Sequence, residues 1–243
     1  MRIYKADLHI HSCLSPCGEL EMSPRAIVEK SLEKGLELIA VCDHNSAENA
    51  GAVMRAAGKT GLCVLPGMEI CSREEVHTLA IFGTLGQALR MQGIVYGCLK
   101  GTNRPELFGD QVVANEFDEV EGFNDRLLIG AAQISLADVV KETQSLGGLC
   151  IASHVDRPSF SILSQLGFVP KDLDLDGLEI SGLRGWESIK SEIPGLDRFA
   201  VVCFSDAHLP EDIGKRSSAF VLEAPSVSEI RLALRQEGGR KVV

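Results

Sequence analysis

Six histidines stand in this sequence where their rings could converge on one centre. His9 and His11 lie two apart in Asp7-Leu8-His9-Ile10-His11, at the end of an apolar run. Residues i and i+2 of a strand face the same side, so both imidazoles can grip a single ion. Asp43-His44 directly follows the run 36–42, Glu69 closes Pro66-Gly67-Met68-Glu69, and His77 lies just across the next turn. His154 follows Cys150-Ile151-Ala152, and Asp206 and His208, again two apart, follow Cys203-Phe204. Imidazole and carboxylate together suit Zn, Mn or Fe, whereas Mg or Ca takes a mostly oxygen shell. A carboxylate placed like Glu69 can bridge two ions.

A lone histidine on an apolar face is ordinarily a satisfied core residue. His77, which begins a run instead of ending one, is the member most open to that explanation. Six histidines beside strand ends, most with Asp or Glu nearby, argue instead for a shared metal site.

The elements that must position these groups alternate between short apolar runs and amphipathic stretches, the pattern of repeated βα units. Strands are expected over 3–10, 36–42, 61–70, 76–82, 149–152, 178–180, 200–204 and 218–222. Ser23-Pro24 reads as an N-cap and first-turn proline opening a helix to Lys34, and 45–57 is helical in composition. A helix is expected over 135–146, and a last one starts at Ser226, with Glu229 completing a capping box. Between 91 and 130 the rhythm fails, and this acidic stretch is expected to be a lid or extra hairpin. The expected fold is α/β, a distorted TIM-like (β/α)7 barrel, as one domain over 1–243. In such a barrel the C-terminal strand ends open onto one face, where active sites are built.

The chain has 243 residues, 45% of them hydrophobic, enough for one sizeable core. Its formal net charge of −10 argues against bulk nucleic acid or a membrane surface as partner, though not against a local basic pocket. The eight cysteines form no CxxC pair and sit mostly in apolar runs, where a free thiol packs as a small hydrophobe. Met1 to Asp7 reaches a charge too early for a secretory leader, and no apolar run approaches the roughly 20 residues of a membrane span. The expectation is a reduced, cytoplasmic protein; its oligomeric state is not legible.

The sequence resembles the PHP family, named for polymerase and histidinol phosphatase. The resemblance runs through Asp7-Leu8-His9-Ile10-His11-Ser12, Ile39-Ala40-Val41-Cys42-Asp43-His44-Asn45, Pro66-Gly67-Met68-Glu69-Ile70, Ala152-Ser153-His154 and Phe204-Ser205-Asp206-Ala207-His208. It implies a distorted (β/α)7 barrel with two or three divalent metals (Mn, Zn or Fe) that hydrolyses phosphoesters. Members include histidinol and nucleotide phosphatases, oligonucleotide exonucleases and polymerase-associated domains. Carried over by position, one metal would take His9, His11, Glu69 and Asp206. A second would share Glu69 and add His77 and His154. A third would take His44, His208 and a residue from the loop after His11. There the sequence departs from the family, which often has Asp or His; here Cys17 or Glu19 could serve. Asp43 would orient a metal-bound histidine.

The expected chemistry is attack by a metal-activated hydroxide on a small phosphorylated metabolite, a nucleotide or a short oligonucleotide. Asp206, His208 and His154 are the candidate catalytic groups. Arg157 and, after it, Arg184 are the candidate phosphate clamps, because a guanidinium fork donates two bonds to one phosphate. Lys100, Arg104 or Arg126 could reach in from the acidic stretch. Two other readings share these residues: an amidohydrolase cleaving C–N or C–O bonds on a similar barrel, and a regulatory module that keeps metal for stability.

Overall fold

The computed structural model describes residues 1–193 and 195–243. Eleven strands occur among them: β1 (Arg2–Ile10), β2 (Leu38–Val41), β3 (Cys63–Cys71), β4 (His77–Ile81), β5 (Val112–Ala114), β6 (Val120–Phe123), β7 (Leu149–Ala152), β8 (Gly177–Glu179), β9 (Val201–Val202), β10 (Ser218–Leu222) and β11 (Lys241–Val242). The helices are α1 (Pro24–Glu33), α2 (Ala50–Ala57), α3 (Leu85–Cys98), α4 (Pro105–Phe108), α5 (Leu136–Ser145), α6 (Ile162–Leu166), α7 (Trp186–Glu192) and α8 (Val227–Leu234).

Nine strands form one sheet in the order β11-β10-β1-β2-β3-β4-β7-β8-β9. The sheet curls until the segment after β9 meets β1, through a parallel bridge between Ile10 and Ala207. The result is a nearly closed, distorted TIM-like barrel. The distortion has a local cause. Only Ser72 to Val76 separate β3 from β4, too few for the crossover that a parallel pair requires, so β4 runs antiparallel to both β3 and β7.

Inside the barrel pack Leu8, Leu38, Ala40, Leu79, Ile81, Ile151 and Phe204. Outside, Ile39, Val41, Met68 and Ile70 meet Ile27, Val53 and Met91 of the helices. A third cluster joins Ala152 and Leu178 to Val140 and Ile189. Gly67 lets β3 fit: a Cβ there would stand 2.9 Å from both Ala80 O and Cys42 Sγ.

Three expectations need correction. Helix α3 continues through 91–98, because Thr84 and Gln87 form a reciprocal capping box and Ala88, Met91 and Val95 bury one face. The irregular segment therefore begins after Cys98. It carries α4 and the β5–β6 hairpin, and it packs on the outside of α1 and α2. Asn49 Nδ2 donates to Val112 O, Arg25 N to Asp118 Oδ1, and Arg55 pairs with Glu116. The β5–β6 pair is the extra hairpin expected there. Second, α2 starts at Ala50, not 45, because Asn45 adopts φ +53 and its side chain is used elsewhere. Third, Ser226 accepts from Glu229 N, but Glu229 turns to Glu223 N and Arg240 and does not close a box.

Candidate functional site

The histidines reach the barrel mouth by specific backbone devices. Leu8 faces the interior, so simple alternation would put His9 and His11 outside. A register shift in the β1–β2 ladder between Asp7 and Ile10 reverses the parity, and Ile10 turns to the helix layer. Asp7 holds this irregularity by accepting from Ser205 N and Gly214 N. His154 and Asp206 have φ of +29° and +51°, a region that costs a non-glycine residue about 1–3 kcal/mol and is found where side chains must be re-aimed. In the antiparallel hairpin His77 pairs with Cys71, which places it at the same barrel end as Glu69. Asn45 ties the neighbouring loop to this end, donating to Leu128 O and Gly130 O and accepting from Cys71 N.

Glu69 is the hub. Its oxygens lie 3.1 Å from His44 Nδ1, His77 Nδ1 and His154 Nε2, 3.4 Å from His9 Nε2 and 3.6 Å from His11 Nε2. Asp206 Oδ1 stands 3.2 Å from His9 Nε2 and 3.1 Å from His11 Nε2. Three ligand groups have mutually close donor atoms: His9, His11, Glu69 and Asp206; His44, Glu69 and His77; and His11, His44 and His208. His208 stacks on His11 with ring centroids 4.1 Å apart.

Direct hydrogen bonds join only some of these atoms: His154 Nε2 to Glu69 Oε1 at 3.1 Å and His9 Nε2 to His11 Nε2 at 3.2 Å. Glu69 Oε2, Asp206 Oδ1, His77 Nδ1 and His154 Nδ1 are buried and have no hydrogen-bond partner. Buried polar atoms left unpaired cost about 1–3 kcal/mol each. Nitrogen and oxygen atoms that converge in this way, several of them left unpaired, fit divalent cations. Protonation agrees. Burial raises Glu69 and Asp206, but the facing His77 and His9 more than offset it and hold both well below the usual carboxylate range. Burial, with His208 and His44 adjacent, drives His11 well below its ordinary value, so its ring is neutral, the form that ligates.

Outer partners fix the ring orientations. Glu179 accepts from His9 Nδ1 at 3.0 Å and from His154 N at 3.0 Å, which leaves His9 Nε2 facing the cluster. His11 Nδ1 donates to Ser15 Oγ at 2.9 Å, and Ser15 donates to Asp43 Oδ1 at 2.8 Å. Asp43 thus acts on His11 through a serine. Such partners set the tautomer and are worth 10–100-fold in metal affinity. Glu179→Gln is expected to weaken metal binding by about tenfold or more. A chelator-dye competition measures this; unchanged affinity would remove Glu179 from the ligand support.

The other predicted residues divide. Cys17 is exposed, and burial of its thiol is outweighed by hydrogen bonds from His208 and His44, which bring its pKa down to about 6. Glu19 is exposed and meets the site only through its amide, which donates to His208 O. Arg157 Nη1 lies 2.6 Å from Asp206 Oδ2 and lines a cavity of about 220 Å³ with His44, Glu69, His77, His154 and His208. Arg184 is exposed and stands away from that cavity, its amide donating to Asp156 Oδ2. Lys100 and Arg104 do not line it, and Arg126 packs over the Tyr96 ring. Of the segment after Cys98, Ile129 alone among the described residues reaches it. Sequence reasoning missed Glu179 and Ser15. The available signal for Glu179 was a carboxylate inside the apolar run Leu178 to Ile180.

Residues 7–160 match the PHP domain family. The chain belongs to the PHP domain family. It is a hydrolase of the metal-dependent phosphoesterase class that the family defines. This PHP domain is 25% identical over 184 residues to MJ1587 of Methanocaldococcus jannaschii, covering 72% of this chain and 80% of that one. It is 30% identical over 79 residues to a 5'-3' exoribonuclease of Haemophilus influenzae, covering 32% of this chain and 28% of that one. Its fold matches the crystal structure of the lesion-specific endonuclease EndoQ from Pyrococcus furiosus, with TM-score 0.75 and 21% identity over 99% of this chain. The PHP domain spans only 58% of the EndoQ chain. Endonuclease Q has also been crystallised with a 27-mer duplex carrying an abasic lesion at its active site, and that structure matches with TM-score 0.76. Net charge is therefore no ground for excluding duplex nucleic acid from this fold, and the exclusion drawn from the −10 balance is withdrawn. Among the described residues no helix is long and apolar enough to cross a membrane.

Proposed function

We infer that residues 1–243 act as one catalytic unit that hydrolyses a phosphoester of a nucleotide or nucleic acid, using two or three divalent ions. The observation that carries this reading is Glu69, buried among five histidines beside Asp206, at the floor of a cavity that Arg157 borders. The likeness to an endonuclease and to an exoribonuclease supports a nucleic-acid or nucleotide substrate over other phosphorylated metabolites.

His9, His11, Glu69 and Asp206 would hold one ion, and Glu69, His77 and His154 a second, with His44 within reach through Glu69. His44 and His208 would hold a third, with Cys17 at its edge; Glu19 is the weaker candidate there. Bound divalent ions neutralise phosphate oxygens and lower the pKa of coordinated water toward 7. Asp206 has two tasks: one oxygen faces the ligand cluster and the other aligns Arg157. Arg157, about one-third exposed, is placed to donate its fork to the substrate phosphate. His208 donates Nδ1–H to Asp206 O at 2.9 Å, which presents Nε2 to the cavity. His154 and His208 line that cavity as ligands, where they would set the ions against the substrate's phosphate and leaving oxygens.

Mn-reconstituted protein is expected to hydrolyse nucleoside monophosphates, a 5′-phosphorylated dinucleotide or an abasic-site duplex, with no cleavage of anilides or N-acyl substrates. Amide turnover without phosphoester turnover would transfer the chain to the amidohydrolase reading. Tight metal with neither activity would favour a regulatory module.

A further inference from the structure

A second cavity of about 270 Å³ adjoins the first and shares His154, Arg157 and Asp206 with it. Its outer rim carries Lys215 and Arg216. Arg157 is held by Asp206 through Nη1 and faces the cluster, and Lys215 pairs with Asp212 at 2.5 Å. Arg216 differs: it is exposed, and among the described residues no carboxylate lies within ion-pair distance of its guanidinium. The carboxylates of this cavity are occupied, Glu179 by His9 and the His154 amide, Asp206 by Arg157, Asp212 by Lys215.

The place where Arg216 lies is made by a missing side chain. Gly182, in the turn after β8, has φ +72, and a Cβ there would stand 2.8 Å from Arg216 Nη1. The guanidinium therefore rests against bare backbone at the edge of a cavity that opens onto the metal-ligand cluster. Guanidinium has five donors and no acceptor, so its complement is an anion with several oxygens, and its fork matches phosphate.

We propose that this cavity binds a second phosphate of the substrate, with Arg216 as its principal donor and Lys215 beside it, while the phosphoester to be cleaved lies at the cluster. This rests on the phosphoesterase reading above. The second phosphate has two chemical sources, a further phosphate ester on the same nucleotide or the next phosphodiester of a strand.

The test uses the metal-loaded full chain, with a nucleoside monophosphate, a nucleoside 3′,5′-bisphosphate and a 5′-phosphorylated dinucleotide as substrates. Arg216→Ala is expected to raise KM about tenfold for a two-phosphate substrate, the scale of one lost charge-assisted hydrogen bond, with little change in kcat. The monophosphate KM moves less than about twofold, since that substrate leaves the second cavity empty. Arg216→Lys recovers part of the loss, because it keeps the charge without the fork. An effect on the bisphosphate alone assigns the ligand to a second ester, and one on the dinucleotide alone to the neighbouring diester. Equal effects on mono- and two-phosphate substrates, or no effect, overturn the subsite. If wild type hydrolyses none of the three and no abasic-site duplex, the phosphoesterase reading fails instead. Calorimetric binding of the bisphosphate to wild type and Arg216→Ala then decides the subsite alone, with equal affinities rejecting it.

Discussion

Glu69→Gln is expected to lower metal-dependent phosphoester turnover by about 10³-fold or more, beyond the 10–100-fold typical of an outer ligand partner. The substitution keeps shape and volume, so the barrel core, which Glu69 only adjoins, is spared. It removes the single negative charge that five histidines face at 3.1–3.6 Å. A neutral amide oxygen is a poor bridging ligand, and its NH2 group would point a donor at imidazole nitrogens that must themselves ligate. Loss of one ion should therefore accompany loss of rate. Steady-state kinetics with metal analysis of the same preparation, and circular dichroism to verify folding, provide the check. A folded variant with wild-type turnover and metal content would mean that Glu69 is not the bridge.

Removing the metal should also lower stability markedly. Without cations the site keeps His9 Nε2 and His11 Nε2 3.2 Å apart, and leaves four buried polar atoms unpaired. Ions that bind only the folded chain contribute about 4 kcal/mol at 1,000 times their dissociation constant. For a domain of this size that corresponds to roughly 8–16 °C in Tm. Chelator-treated protein should melt lower by about that interval and recover with Mn or Zn, whereas Glu69→Gln should respond much less. A melting curve indifferent to chelation, in protein shown to have lost its metal, would refute the idea that these groups are arranged around cations.

Much of this was legible because the decisive groups are strongly typed. Histidines two apart at an apolar strand end, Asp-His after the next strand and Asp-Ala-His near the end mark most of the cluster, and the position of His77 just across the turn from Glu69 set the two close. Other features were hidden for physical reasons. Side-chain period alone puts His9 and His11 on the wrong face, and only a shift in ladder register, which no residue type marks, turns them inward. Glu179 looked like one polar position of a short strand, although it orients His9 from 170 positions away in sequence. Ser15 works through a relay between two other residues, and spacing does not encode relays. The rhythm that fails from 91 in the sequence is helical to Cys98 in the fold, because a capping box and one buried face hold α3 together. Arg216 is one surface cation among many until Gly182 and the adjoining cavity give it a place.

The reversed strand β4 also bears on how the centre assembles. Glu69 and His77 meet across one tight turn, whereas His9 and Asp206 meet only after nearly the whole chain has been drawn round. Loop-closure entropy grows by about 0.6 kcal/mol per doubling of length, so the second encounter costs about 3 kcal/mol more than the first. The hairpin 63–81 is thus the cheapest part of the centre to form and the natural nucleus for capturing an ion. Closure of the barrel through Ile10 and Ala207 then completes a coordination shell already begun, so that metal uptake and ring closure are successive stages of one folding reaction.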